Sequence, residues 1–266
     1  MPELAEVFYH SSIWKRSCGE RFQLAWLHGE ARCCRLLERS RLVDSLDGVT
    51  LLAGYTHGKR MLFAFSGGAF LEAHLGMTGS LHRCEVDCEE GKHDHLAIRS
   101  SESTLVFRDP RKFGKLALHF ADEGDLPQWW NELPPEPHAK GFTRERFGPL
   151  LARRQGSVLK ALLLHQDLFP GVGNWMADEI LWRARIRPDR RLGSLSKGEL
   201  DALFQETRWV CREAVRIIGT DYTDPPDSWL FKHRWKDGGI CPVSQKNLQR
   251  DTVGGRTTCW SPAVQL

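Results

Sequence analysis

No run of apolar residues in this chain approaches the length of a membrane span, and its start lacks the basic-then-apolar order of a secretory signal. Those absences point to a protein made and kept inside the cell. There are no internal repeats and no low-complexity tracts. The eight cysteines (18, 33, 34, 84, 88, 211, 241 and 259) follow no regular framework, so most are expected as reduced thiols. Charge excess is small as well: a net charge of +3 does not by itself require a nucleic-acid partner, and its distribution says more. What remains is a chain of 266 residues, 41% hydrophobic and 27% charged, with the balance of a soluble globular protein and room for two domains.

The opening stretch Met1-Pro2-Glu3-Leu4-Ala5-Glu6 holds the first chemistry. If Met1 is removed, Pro2 becomes a secondary amine at the chain terminus. A free α-amine has a pKa of about 8, so part of it is unprotonated near neutrality and can attack a carbonyl carbon to form an iminium. Glu3 and Glu6 stand close by in sequence to move protons around such an adduct. The plainer alternative is a helix start, with proline in the first turn and glutamates answering the helix dipole.

Residues 3–17 read as an amphipathic helix with Leu4, Val7, Phe8 and Ile13 on its apolar face, ended near Gly19. From Arg21 to Phe120, short Val-, Leu- and Phe-rich segments alternate with glycine turns, the spacing of a β-sandwich or barrel. The clearest strands are 61–65, 69–75, 95–99, 104–108 and 115–120. Residues 121–139 hold five acidic residues, four prolines and no Lys or Arg, a linker composition at which a domain boundary is placed. Helices follow at 144–154, 157–165, 175–185 and 197–219, with Arg183, Arg185, Arg187, Arg190 and Arg191 expected in part on a solvated face. The last stretch reads as a small β-hairpin appendix with polar strands around Gly238-Gly239 and Gly254-Gly255.

Phe169-Pro170-Gly171-Val172-Gly173-Asn174 lies between two helices. Its glycines let the backbone turn tightly and approach a partner, and the helix that follows opens with unpaired N–H groups suited to a phosphate. The amide of Asn174 adds a possible phosphate contact. An ordinary interhelical turn is the simpler reading, and the motif also resembles the turn of helix-hairpin-helix DNA-binding proteins. In the first half, Gly58-Lys59-Arg60 places two cations at a turn. Met77 stands on the Gly-flanked loop 74–79, and Arg111 and Phe113 follow a strand in Asp109-Pro110-Arg111-Lys112-Phe113-Gly114. Met and Phe beside an Arg are the wedges needed to unstack a base step and fill the gap, although singly such residues are more often core.

In this order, Pro2-Glu3 with Glu6, Lys59, the Leu-Gly-Met-Thr-Gly loop, His93-Asp94-His95, the Asp109–Gly114 motif and residues 166–179 resemble the formamidopyrimidine-DNA glycosylase / endonuclease VIII family over essentially the whole chain. The resemblance implies an α+β fold in three parts. These are a helix plus β-sandwich catalytic domain (1–130), a helical helix–two-turns–helix domain (131–222) and a β-hairpin finger (223–266), with DNA running between them. It also implies a catalytic group of Pro2 as nucleophile at C1′, Glu3 as acid/base, Glu6 as supporting carboxylate and Lys59 gripping phosphate. DNA contacts are implied for Met77, Arg111, Phe113, Lys160, Asn174 and Arg256. The expected partner is duplex DNA with a damaged base or abasic site, bound by a monomer. The expected activity is base excision through a Schiff base on Pro2, followed by β- or β/δ-elimination.

The chain departs from that pattern in three places. Many relatives carry a zinc finger of two C-x2-C pairs, but the matching positions here are Cys241, Ser244, Ser261 and Val264. No metal or other cofactor is therefore expected, and packing of Trp235 and Trp260 is expected to hold the finger. The segment 219–241 is shorter than in relatives that recognise oxidised purines, so the choice of base stays open among formamidopyrimidine, 8-oxoguanine and an oxidised pyrimidine. Ala5 stands where a second proline is common. Two rivals remain: a damage-binding protein that has lost turnover, and a helix-hairpin-helix glycosylase with an internal Lys and Asp.

Overall fold

The computed structural model describes the backbone of residues 1–266 and every side chain except those of Arg39 and Leu150. The chain divides into two compact units, one of Met1–Pro2 with Glu6–Leu133 and one of Glu3–Ala5 with Pro134–Leu266.

Helix α1 (Leu4–Lys15) has Glu6 in its first turn and Lys15 in its last, both favourable to the helix dipole. Its burial is broader than the expected single stripe: Leu4, Ala5, Val7, His10, Ser11 and Trp14 are buried, while Phe8 and Ile13 are only partly so. Trp14 anchors it, lying 4.8 Å from the Phe63 ring and donating its indole N–H to the His82 carbonyl at 3.0 Å. The chain then runs through β1 (Arg21–Leu27), α2 (Arg39–Leu46), β2 (Val49–His57), β3 (Arg60–Phe65), β4 (Ala69–His74), β5 (Ser80–Cys84), β6 (Asp94–Arg99), β7 (Thr104–Arg108) and β8 (Lys115–Phe120).

The strands pair antiparallel in the order β5-β7-β6-β1-β2-β3-β4-β8. The β1–β2 junction holds only two residue pairs, Arg21 with Thr50 and Phe22 with Val49, so the strands form two four-stranded layers of a sandwich. Period-two alternation sorts β3 onto two cores. Met61, Phe63 and Phe65 join Trp14, Leu71, Leu96, Ile98 and Phe107, whereas Leu62 and Ala64 pack with Phe70 and Trp130. Trp130 belongs to the short helix α3 (Gln128–Asn131), inside the stretch expected to be linker. That stretch is therefore partly built into the first unit, because two tryptophans outweigh a solvating composition.

In the second unit, α4 (Arg144–Ala152), α5 (Leu159–Leu163) and α6 (Asn174–Arg183) precede the long α7 (Lys197–Asp221). Helix α7 starts at a capping box of Ser196 and Glu199 and buries Leu203, Thr207, Val210, Cys211, Ala214 and Ile218 at helical spacing. Strands β9 (Gln249–Val253) and β10 (Arg256–Trp260) form a hairpin whose turn residues Gly254 and Gly255 have φ of +60° and +73°, the left-handed pair that two-residue hairpins demand. Around Gly238-Gly239 there are no strands, only an isolated bridge between Ile240 and Asn247. Trp235, expected inside the finger, is 55% exposed. The apolar floor is instead Trp182, Leu230, Cys241, Leu248 and Cys259, with Val264 against it. Of the arginines on or just after α6, Arg185, Arg187 and Arg191 are exposed, in line with a partly solvated face, whereas Arg183 at the end of α6 pairs with Glu179 and lies over the rings of Trp209 and Trp229 at 4.1 and 4.7 Å.

Candidate functional site

The glycine turn before α6 has an occupant from the chain's own start. The Glu3 carboxylate, 2% exposed, accepts the amides of Trp175 (3.0 Å) and Met176 (3.1 Å) in the first turn of α6. The Leu4 amide donates to the Gly171 carbonyl at 3.0 Å. Both glycines leave the space that the chain start fills. A Cβ on Gly171, whose φ is +86°, would lie 2.7 Å from Leu4 Cδ1, and one on Gly173 would lie 2.2 Å from Glu3 Cδ. The expectation of a phosphate at this helix N-terminus is thus corrected: the anion satisfying these donors is Glu3. Nothing local foretold it, since 172 residues separate the partners. Ala5, next in the chain, is fully buried. Met1 is exposed, Pro2 and Glu6 are partly buried, and Glu6 lies in the first turn of α1.

In the first unit, the three expected wedge residues converge through a residue not assigned a role from sequence. Asp109 is fully buried. Its Oδ1 accepts the Thr78 hydroxyl at 2.7 Å and the Arg111 amide at 3.2 Å, and its Oδ2 accepts the Gly114 amide at 2.7 Å. Its backbone is held too, the amide donating to His93 O and the carbonyl accepting from His95 Nε2, each at 2.9 Å. One carboxylate therefore joins the loop carrying Met77 to the loop carrying Arg111 and Phe113. Gly76 permits the approach: its φ is +62°, and a Cβ would lie 2.4 Å from the Phe113 carbonyl carbon. Met77 and Phe113 are 42% and 43% exposed, so neither is a core residue. The guanidinium of Arg111 lies 4.9 Å from the Phe113 ring centre, and that of Arg32, which sequence reasoning missed, 5.7 Å.

Lys59 sits in the two-residue turn Gly58-Lys59 that closes β2 and β3, where His57 pairs with Arg60. Behind the turn is the buried Glu72, engaged by Arg60 and by His119 Nε2 at 2.9 Å, with Lys115 at 4.0 Å. Burial pushes the Glu72 carboxyl up, but His119 and the cations prevail and hold it at about 2. Burial first, then Arg60 and Lys59, lower the His74 pKa, so the imidazole is neutral and its Nδ1 accepts the Gly76 amide at 3.0 Å.

Two of the expected DNA contacts, Lys160 and Asn174, have partners within the second unit. Lys160 is 0% exposed, and its ammonium donates to Asp178 and, at 2.6 Å, to the Asn174 carbonyl. The amide Nδ2 of Asn174 donates to the Thr257 carbonyl at 2.8 Å, and its Oδ1 is buried. A lysine beside a DNA-binding turn reads as a phosphate ligand by type, but a buried carboxylate nearby claims it first. Both residues thus hold α6 together with its surroundings. Arg256, by contrast, is exposed at the start of β10.

The positions that match zinc ligands in many relatives are Cys241, Ser244, Ser261 and Val264. Cys241 is buried with its sulfur accepting the Ser244 amide at 3.5 Å, Ser261 is buried, and Val264 belongs to the apolar cluster. One thiol, two hydroxyls and an isopropyl group are not a zinc donor set. Among the described residues, no three His, Cys, Asp or Glu side chains are grouped to hold a metal ion. No described helix is long and apolar enough to cross a membrane.

Comparison with known proteins adds a second line. Residues 1–116 match the formamidopyrimidine-DNA glycosylase N-terminal domain, and residues 133–224 match the formamidopyrimidine-DNA glycosylase H2TH domain. The formamidopyrimidine-DNA glycosylase of Thermus thermophilus is 36% identical over 238 residues, covering 85% of this chain and 86% of that one. The enzyme of that name from Pelobacter propionicus is 33% identical over 271 residues and the full length of both. Among solved structures, the Lactococcus lactis Fpg bound to DNA containing an oxidised pyrimidine superposes with a TM-score of 0.85 at 26% identity, over 99% of each chain. A complex of the same Lactococcus protein with abasic-site DNA has a TM-score of 0.83 at 26% identity, again over 99% of each.

Proposed function

The chain belongs to the formamidopyrimidine-DNA glycosylase family, and on that premise we propose that it excises damaged bases from duplex DNA and then cleaves the strand as an abasic-site lyase. The observation that carries the proposal is the seat of Glu3. A carboxylate one residue from Pro2 is desolvated and aimed by two backbone donors, as an acid/base must be to serve a fixed reacting centre.

Removal of Met1 frees the Pro2 nitrogen. Its lone pair forms a bond to C1′ as the glycosidic bond breaks, and the base leaves with that bonding pair and takes up a proton from solvent. Protonation of the ring oxygen at Glu3 opens the sugar, and loss of the amine proton leaves an iminium. The iminium acidifies the neighbouring C2′–H, and its loss expels the 3′-phosphate; a second elimination expels the 5′-phosphate. Met77, Arg111 and Phe113 enter the duplex where the damaged nucleotide has left the stack. Lys59 and Arg256 grip phosphates, and Glu6 supports the proton transfers. The finger works without zinc, and the protein acts as a monomer where the DNA is, in nucleoid or nucleus.

The amine is usable only at the chain terminus. A version carrying an uncleavable N-terminal tag is expected to bind abasic DNA but neither excise nor cleave, while a C-terminal tag leaves both activities intact. An active N-terminally tagged protein would instead place the nucleophile inside the chain, as in a helix-hairpin-helix glycosylase.

A further inference from the structure

Four donor atoms from three residues converge on one buried carboxylate in the second unit. Asp178 of α6 accepts from the Lys160 ammonium, from Arg234 Nε at 3.0 Å and Nη2, and from the Cys259 amide at 3.0 Å. Lys160 and Asp178 are fully enclosed and Arg234 is 5% exposed. Charges taken out of water are tolerated only when they are paired and hydrogen-bonded, and here each carboxylate oxygen has a donor.

The partners come from separate elements. Lys160 lies on α5, Asp178 on α6, Arg234 directly after the short turn Leu230–His233, and Cys259 on β10. The Lys160 ammonium also holds the Asn174 carbonyl, and the Asn174 amide reaches Thr257 on β10. The hairpin turn presses on the same place, since a Cβ on Gly254 would lie 2.8 Å from Ala161 Cβ. Thr257 and Cys259, beside Arg256 on β10, are thus tied to the first two turns of α6 in a finger whose zinc positions carry a single thiol.

We propose that Arg234, acting through Asp178, is a positioning residue for Arg256: the buried ion cluster sets the β9–β10 hairpin on α6 where a metal would otherwise do so. The functional half of the proposal rests on the reading of Arg256 as a phosphate contact. An ion cluster that only stabilised the fold would affect all regions alike and would show no special coupling to Arg256.

The test uses the full chain and a duplex with one stable tetrahydrofuran abasic analogue. Arg234→Met leaves Lys160 and Asp178 as a neutral pair, so no buried charge is orphaned, and Arg234→Lys keeps the charge with fewer donors. Arg234→Met is expected to weaken binding roughly tenfold and to lower the salt dependence by about one counterion. It should also speed amide exchange chiefly over residues 249–260. Added to Arg256→Ala, it should cost less than about twofold more, and Arg234→Lys should recover most of the loss. If Arg234→Met does not fold, the same exchange and coupling measurements on Arg234→Lys are decisive, with smaller effects of the same pattern. Unchanged exchange in the hairpin would overturn the staple. Additive binding losses would overturn its action through Arg256. If Arg256→Ala alone leaves affinity and salt dependence untouched, the phosphate reading of Arg256 falls, and with it the functional half, while hairpin exchange still decides the staple separately.

Discussion

Gly173→Ala separates the placement of Glu3 from the integrity of the fold. The backbone at Gly173 has φ −123° and ψ −158°, an extended conformation open to alanine, so the substitution carries no dihedral penalty. The added methyl would meet Glu3 Cδ at 2.2 Å, Cγ at 2.4 Å and Oε1 at 2.5 Å. These are atoms of a side chain that can rotate away, so the clash is relieved by moving the carboxylate by about 1 Å or more, not by unfolding the turn. The amides of Trp175 and Met176 then lose their acceptor, which costs roughly 1–3 kcal/mol of stability each if no water replaces it. Displacement of a catalytic group by about 1 Å costs on the order of a hundredfold in rate. Single-turnover excision and borohydride trapping are therefore expected to slow about a hundredfold. The affinity for abasic-analogue DNA should stay within a few-fold, and the melting temperature should fall by roughly 5–20 °C, less where water replaces the lost acceptor. A variant that traps within about threefold of the wild-type rate would refute the claim that the Glu3 seat governs the chemistry.

Asp109→Ala should release both wedge loops at once, lowering excision of a paired damaged base by at least about tenfold while sparing cleavage of a preformed abasic site; parallel rate measurements on the two substrates check this. Burial depresses the His10 pKa from 6.5 to about 4, against a backbone hydrogen bond at Leu81 and with a small contribution from His82. Because the folded value lies below the unfolded one, the stability linked to His10 is complete above pH 6.5 and is lost as pH falls through about 4, roughly 3 kcal/mol in all. Glu72, held at about 2, removes more below pH 4.5. Urea midpoints across pH 7 to 3 should fall accordingly, and His10→Asn should flatten the upper part of that decline. Excision should be unaffected by EDTA, and Cys241→Ser should retain activity and bind no zinc by atomic absorption; loss of activity on chelation would restore the metal.

Much of the fold is legible because it depends on local periodicity. Residues 104–108 and 115–120 are strands at the expected bounds, and α7 follows from its apolar spacing and capping box. The wedge motif is legible as well, since glycines flank Met77 and an Asp-Pro turn precedes Arg111. What escapes the sequence is the identity of long-range partners. The turn at 171–173 announces a close approach without saying that Glu3 makes it, and Lys160 looks like a phosphate ligand until Asp178 encloses it. Trp130 shows the same limit from another side: an acidic, proline-rich stretch predicts a solvated linker, yet one indole finds the outer face of β3.

The most direct test of the central claim is a borohydride trap of untagged protein on duplex DNA with a single abasic site, followed by intact mass and peptide mapping. The expected result is a reduced crosslink on the Pro2 nitrogen of a chain lacking Met1. Binding to the abasic duplex without any crosslink, or a crosslink mapped to a lysine, would contradict it and leave a damage-binding protein or a different nucleophile.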